Sequence, residues 1–251
     1  MTNKLRYFIA NWKMYGHLNN VKSLNKVIKF KKKNKKAKNI KIIYCPPFTL
    51  LHAFVQKFKN TDIKTGAQNC NFASSYGPPT GSINAKMIKS LKCEYVILGH
   101  SEKRLKGEND SIINKKIISA LNNNLRVIFC IGETYSQKKK KLTKRTLLNQ
   151  LIKGLKNVKN KKNIIIAYEP VWSIGSGLIP KSKDLENTIS IIKSFLSKRM
   201  GFKNPKVLYG GSVNPKNIYL FKKITILDGF LIGGASQNIN KFIDIIKKTF
   251  N

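Results

Sequence analysis

Acidic residues and arginine are both scarce in this chain. Its 251 residues carry 11 Asp plus Glu against 49 Lys plus Arg, a formal net charge of +38, and Lys outnumbers Arg 44 to 5. Reading base edges and gripping phosphates favour the planar, bidentate guanidinium over the point charge of Lys, so the shortage of Arg argues against dedicated nucleic-acid recognition. Lys, Asn and Ile share A/T-rich codons, and genome composition accounts for such a surface without a selected polyanion partner. Non-specific polyanion binding at low salt is expected from charge alone. Cysteine is sparse and scattered. Cys45, Cys70, Cys93 and Cys130 form no Cys-x-x-Cys pair, which argues against a zinc site or a disulfide framework and makes a reducing cytoplasm the expected compartment. No stretch approaches the roughly 18 uninterrupted apolar residues of a membrane-spanning helix. Residues 1–10 lack the apolar core and cleavage site of a signal peptide, so a soluble protein is expected. With 8 Pro and 16 Gly, neither concentrated in a linker, and 41% hydrophobic residues, the chain reads as one ordered domain over 1–251.

Short runs of Ile, Val, Phe and Tyr alternate with longer Lys/Asn-rich stretches of helical period, the signature of repeated β-α units. Strands are predicted at 5–11, 40–45, 63–68, 95–99, 126–131, 164–169, 206–210 and 229–233. Runs such as Tyr95-Val-Ile-Leu and Ile164-Ile-Ile-Ala are apolar without alternation, as in a parallel sheet buried on both faces. Helices are predicted at 18–30, 111–122, 142–158, 182–200 and 239–249, the fourth with Ser182 as N-cap and Leu185, Ile189, Ile192 and Leu196 as its apolar stripe. The Lys runs at 31–36, 138–141 and 159–162 are expected to be solvated. Eight repeats predict an α/β fold, a (β/α)8 TIM barrel of eight parallel strands surrounded by helices.

In such a barrel the chemistry sits at the C-terminal ends of the strands. The polar residues there are Asn11 and Lys13 after the first strand, His100 and Ser101 after the fourth, and Glu169 after the sixth. Gly175-Ser-Gly follows the sixth strand, and Gly210-Gly-Ser212 and Gly233-Gly-Ala-Ser236 follow the last two. Gly-Gly turns expose main-chain N–H groups that suit a phosphate. Glu169 ends an apolar run, where a solvated carboxylate would be misplaced. It reads as a general base, with a buried Glu–Lys pair as the alternative. His100 can donate to a carbonyl oxygen, whereas His17 and His52 have no comparable setting. The sum is a phosphate-binding enzyme, independent of metal or cofactor, that moves a proton beside a carbonyl. A barrel enzyme acting on another phosphorylated sugar is the main rival.

Six segments in order along the chain resemble the triosephosphate isomerase family: Asn11-Trp-Lys-Met14, Gly99-His-Ser-Glu-Lys-Arg104, Cys130-Ile-Gly-Glu133, Ala167-Tyr-Glu-Pro-Val-Trp-Ser-Ile-Gly-Ser-Gly177, Tyr209-Gly-Gly-Ser-Val-Asn214 and Asp228-Gly-Phe-Leu-Ile-Gly-Gly-Ala-Ser236. The resemblance implies interconversion of dihydroxyacetone phosphate and glyceraldehyde 3-phosphate through an enediolate, a step of glycolysis and gluconeogenesis. In that reading Glu169 is the base and His100 the neutral electrophile, roles the family is the standard illustration of. Lys13 stabilises oxyanion and phosphate, Asn11 positions substrate, and the phosphate rests on Gly175, Ser212, Gly233 and Gly234. Ser101, Glu102, Cys130 and Tyr209 stand behind them. A mobile lid covers 170–180, with Pro170, Val171, Trp172, Ser173, Ile174, Gly175, Ser176 and Gly177 as its first residues. Tyr209 and Ser212 are expected to meet the closed lid, and a homodimer is implied, with Thr80 of loop 69–82 reaching toward the partner's Asn11 and Lys13.

The chain departs from the family pattern in the lid, at its far hinge, which reads Leu178-Ile-Pro180 where Lys-Thr-Ala is common, and at the interface. Ser173 replaces the usual Ala, and Pro180 ends a far hinge where the family has a residue with a main-chain N–H. Proline cannot donate from that position to Tyr209, so another group must latch the lid or latching is weaker and phosphate retention leakier. Ser82 and Lys103 replace an acid and an Arg that normally pair across the interface. Both partners are lost together, so no charge is orphaned, but the electrostatic support of the dimer is reduced.

Overall fold

The computed structural model describes residues 6–250. Leu5, the first residue of the expected first strand, lies outside them. Eight parallel strands close on themselves in sequence order: β1 Tyr7–Asn11, β2 Lys41–Cys45, β3 Lys64–Ala67, β4 Tyr95–Leu98, β5 Arg126–Ile131, β6 Ile164–Tyr168, β7 Lys206–Tyr209 and β8 Gly229–Ile232. The closing seam pairs Tyr7 with Gly229 and Ala10 with Ile232. Gly229 has φ +152, and a Cβ there would lie 2.0 Å from the Tyr7 carbonyl oxygen, so only glycine lets the seam meet.

The non-alternating strands do alternate in space, because both faces are apolar. Tyr7, Ile9, Ile43, Cys45, Ile97 and Ile128 belong to the packed barrel interior. Phe8, Ala10, Ile42, Tyr44 and Val96 belong to the layer under the helices. All four cysteines are free and buried.

Ten α-helices are present among the described residues: α1 Asn20–Ser23, α2 Asn25–Lys33, α3 Phe48–Phe58, α4 Ala85–Ser90, α5 Ser101–Leu105, α6 Asp110–Asn122, α7 Tyr135–Lys139, α8 Thr143–Gly154, α9 Ser182–Met200 and α10 Ile239–Lys248. The expected helix at 18–30 is two helices. The Ser23 hydroxyl takes the Asn20 carbonyl at 2.6 Å, and the Leu24 N–H turns to Val21 instead. The helix expected to reach 158 stops at Gly154, and Asn157 follows at φ +60, a left-handed conformation that breaks it. Ser182 does not cap α9. Lys181 occupies that position, and the Ser182 hydroxyl donates to the Leu220 carbonyl. The stripe of α9 is buried as the pattern requires.

One of the lysines expected to be solvated is buried, and another, exposed as expected, lies over an aromatic ring. Lys31 is buried, donating to the carbonyls of Ala37 and Ile40 and pairing with Asp62 at 2.9 Å. Lys138 stands 3.3 Å from the centroid of the Trp172 ring. Among the described residues no helix is long and apolar enough to cross a membrane.

Candidate active site

One wall of the barrel mouth is built from the ends of β1 and β4. Lys13 has φ +55, a left-handed conformation that costs a non-glycine residue about 1–2 kcal/mol and must be held by its surroundings. The Asn11 Oδ1 accepts the Lys13 N–H at 3.1 Å, and Gln68 at the end of β3 donates to the Lys13 carbonyl at 2.7 Å and to that of Cys45 at 2.9 Å. The ammonium group is therefore aimed by two amides, and its Nζ meets Glu102 Oε1 at 2.6 Å. Burial tends to raise the Glu102 pKa, but the hydrogen bond from Lys13 and the positive charge of that ammonium outweigh it and hold this carboxyl below its usual range.

His100 is the N-cap of α5. Its Nδ1 accepts the Glu102 main-chain N–H at 3.2 Å, which leaves Nε2 to carry the ring proton and point into the mouth. Arg104 fixes the turn beneath, donating to the Gly99 carbonyl at 2.8 Å while pairing with Asp110 at 2.6 Å.

The facing wall starts with Glu169, immediately after β6 and 2% exposed. One carboxylate oxygen lies 3.3 Å from His100 Nε2, and the other accepts the Ser101 N–H at 3.3 Å. Burial pushes its pKa above the carboxylate range, opposed by His100, the Ser101 amide and Lys13. Cys130 packs inside the barrel below it, and burial pushes that thiol well up.

Glycines clear the space Glu169 needs. A Cβ on Gly132 would sit 1.8 Å from the Glu169 carbonyl oxygen, and one on Gly210 would sit 2.7 Å from Glu169 Cγ. The Gly210-Gly211 pair, read from sequence as a phosphate turn, is thus also required by its neighbours. The Gly233-Gly234 pair is open, its closest neighbour being Lys13 Cε at 3.3 Å.

A cavity of about 370 Å³ lies between these walls, bordered by Asn11, Lys13, His100, Glu169 and the glycine turns at 175, 210–211 and 233–234, with Ser212 between them. A larger, shallower groove of about 840 Å³ between α2 and α10 is lined by lysines such as Lys29, Lys33 and Lys247 and lacks any acid–imidazole pair. The smaller cavity is therefore the candidate site.

Beyond Glu169 the chain makes a short 3-10 turn, Val171–Ser173, and then an exposed tip in which Gly175 and Gly177 have φ +72 and +77. Trp172 anchors the turn. Its indole donates to Glu133 Oε1 at 2.9 Å, an oxygen that also accepts the Tyr168 hydroxyl at 3.1 Å. The Lys138 ammonium covers the ring face. Burial raises the Glu133 pKa, and its second oxygen has no partner.

A sequence model described as triosephosphate isomerase matches residues 6–249. The triosephosphate isomerase of Dictyoglomus turgidum is 40% identical over 244 residues, covering 95% of this chain and 97% of that protein. That of Zygosaccharomyces bailii is 38% identical over 245 residues, covering 96% of this chain and 97% of that protein. The crystal structure of triosephosphate isomerase from Bartonella henselae superposes with a TM-score of 0.88 at 32% identity, covering 98% of this chain and 99% of that one. The chain belongs to the triosephosphate isomerase family. It is an intramolecular isomerase of triose phosphate, and glycolysis is the setting of that reaction.

Of the residues singled out from sequence, Asn11, Lys13, His100, Glu169, Gly175, Ser212, Gly233 and Gly234 border one cavity. Ser101 and Glu102 touch Glu169 and Lys13, Cys130 lies against Glu169 and Tyr209 against Ser173, while Thr80 is exposed and does not line the cavity. Sequence reasoning missed Gln68, whose only signal is its place at a strand end, and gave Glu133 no role although it closes one of the six segments.

Proposed function

We propose that Glu169, His100 and Lys13 carry the interconversion of dihydroxyacetone phosphate and glyceraldehyde 3-phosphate. The phosphate would rest on main-chain N–H groups around Gly175, Ser212, Gly233 and Gly234, with the reacting carbons between Glu169 and His100. Glu169 takes the proton from one carbon and returns it to the other. The His100 Nε2–H donates to the carbonyl oxygen as negative charge grows there, and the Lys13 ammonium stabilises the enediolate. Asn11 aims Lys13 through its main chain.

The observation that carries this reading is the 3.3 Å approach of Glu169 to His100 in a cavity that Lys13 and two Gly-Gly turns complete. Burial favours the neutral acid, so the carboxylate, once formed, is a stronger base than one in water. A coupled isomerase assay on the wild type and Glu169→Gln tests it. Equal turnover in both would reject the assigned base.

Three further parts belong to the same reading. The chain is one barrel domain over 1–251 working in the cytoplasm, in keeping with four buried, unpaired thiols. It pairs as a homodimer. Met14, Tyr15, Leu18, Phe72, Tyr76 and Met87 are large apolar side chains exposed on or beside the loops after β1 and β3, the kind of surface a partner subunit would cover. Loop 69–82 is held in shape for docking by Asn84 donating to the Ser75 carbonyl at 2.7 Å and Ser119 to that of Ala73 at 3.2 Å. A monomer in sedimentation at micromolar concentration and ordinary salt would refute the pairing. Finally, the lysine surface binds polyanions only by charge, so such binding should vanish steeply as salt rises.

A further inference from the structure

We infer that the Ser173 hydroxyl is the positioning group of the lid: it ties the lid base to Tyr209 on β7 and to the Ser212 amide of the phosphate turn, so that an anion taking that amide also alters the hold on the lid. The inference rests on reading 170–180 as a lid over a phosphate site.

Ser173 is fully buried. Its Oγ lies 2.9 Å from the Tyr209 hydroxyl and 3.4 Å from the Ser212 nitrogen, and it donates to the Leu178 carbonyl. The chemistry of the three partners fixes the direction of each bond. A carbonyl only accepts and an amide N–H only donates, so the single Ser173 proton is committed to Leu178 and the Ser212 N–H points at a Ser173 lone pair. Tyr209 must then donate to the remaining lone pair. Burial first of all pushes the Tyr209 pKa up to about 12, so its proton is present at any physiological pH. One donor and two acceptor sites are all a hydroxyl has, and here all three are used.

The surroundings are shaped for this group. A Cβ on Gly211 would lie 2.2 Å from the Tyr209 hydroxyl and 2.7 Å from Ser173 Oγ, so the cradle exists only because position 211 is glycine. The bond to Leu178 joins the two ends of the exposed tip. The Ser176 hydroxyl braces the tip from within, donating to the Trp172 carbonyl at 2.9 Å and accepting the Leu178 N–H at 3.1 Å. Pro180, at the far end, has no N–H to offer Tyr209. Of the three bonds to Ser173 the one from Ser212 is the longest, and its donor borders the cavity where the phosphate is to bind. It is the bond most readily exchanged for a phosphate oxygen.

The test combines kinetics with amide hydrogen exchange of residues 174–178, using inorganic phosphate as probe. In the wild type phosphate should change exchange of the tip, and in Ser173→Ala that change should be lost. Ser173→Ala should lower kcat/KM roughly tenfold, the size of one hydrogen bond in a barrier. It should also raise several-fold the fraction of turnovers in which the enediolate breaks its C–O bond to phosphate, releasing inorganic phosphate and methylglyoxal. A merely structural role would not move that partition. Tyr209→Phe keeps the fold's shape and removes one of the three bonds. It should raise the same fraction, and the double variant should do no worse than Ser173→Ala.

Unchanged partition and unchanged phosphate response in Ser173→Ala, or effects of the two substitutions that simply multiply, would overturn the inference. Should Ser173→Ala fail to fold, Tyr209→Phe with wild-type partition overturns it alone. An isomerase whose lid ignores Ser173 sinks the inference but not the function. A phosphate-responsive lid on a protein without isomerase activity does the reverse.

Discussion

The two walls of the mouth are held by different means. On the β1 and β4 side, Lys13 and His100 are gripped mainly through main-chain groups: the Lys13 amide and carbonyl by Asn11 and Gln68, and the His100 ring by the Glu102 amide. On the β6 side Glu169 also takes a main-chain N–H, that of Ser101, but the segment after it adds side-chain pairs, Trp172 on Glu133 and Ser173 on Tyr209, and the wall depends on absent side chains at Gly132, Gly210 and Gly211. Main-chain anchors fix a group that must stay put. Side-chain contacts can be exchanged one at a time, which suits the wall proposed to carry the lid.

The largest break in this comparison is Glu169→Gln. Turnover should fall by about 10²–10⁴-fold, the range for loss of a general base. Stability should go the other way. A carboxyl whose folded pKa is raised favours folding while it is protonated and loses that contribution as pH rises through the folded value, so at neutral pH the charged form opposes folding. The glutamine variant should therefore melt higher than the wild type at pH 7, with the gap closing toward pH 4; an equal gap at both would contradict the burial argument.

Gly210→Ala comes next. It places a methyl 2.7 Å from Glu169 Cγ and should displace the base, lowering kcat by roughly 10²-fold, the cost of about 1 Å of misplacement, while far-ultraviolet circular dichroism stays native. Glu133→Ala should loosen the lid, increasing protease cleavage near Gly175 and lowering kcat/KM about tenfold by loss of the acceptor that Trp172 shares with Tyr168. The same alanine substitution at Gln68 would sharpen the contrast, since it releases the strained Lys13 main chain and should lower kcat without loosening the lid. The smallest effect concerns both walls equally: at +38, kcat/KM for an anionic substrate should fall a few-fold between low and high ionic strength, and a flat response would rule out steering.

The barrel was legible because its strands are apolar on both faces and its helices set an apolar stripe against a Lys-rich outer face, a contrast that survives any bias in surface composition. Strand ends were read to within one or two residues. Helix ends were read less well where local competition decides them, as with the Ser23 hydroxyl taking the Asn20 carbonyl or Ser182 turning away to Leu220. In the site, Lys13, His100 and Glu169 could be found because each interrupts a strand-end pattern. Gln68 and the Ser173 contacts could not, because they depend on which loops meet in space. Sequence treated Ser173 and Pro180 as two separate departures; in the structure Tyr209, left without a donor from Pro180, has Ser173 as its partner.

The three crowded glycines at 132, 210 and 211 carry a consequence for how freely this protein can vary. The lysine-rich exterior can absorb almost any polar replacement, whereas at these positions the smallest possible side chain already collides with Glu169 or with the Ser173–Tyr209 pair. A saturation library should show a wide permissive shell around a few intolerant points, and those points need not touch the substrate at all.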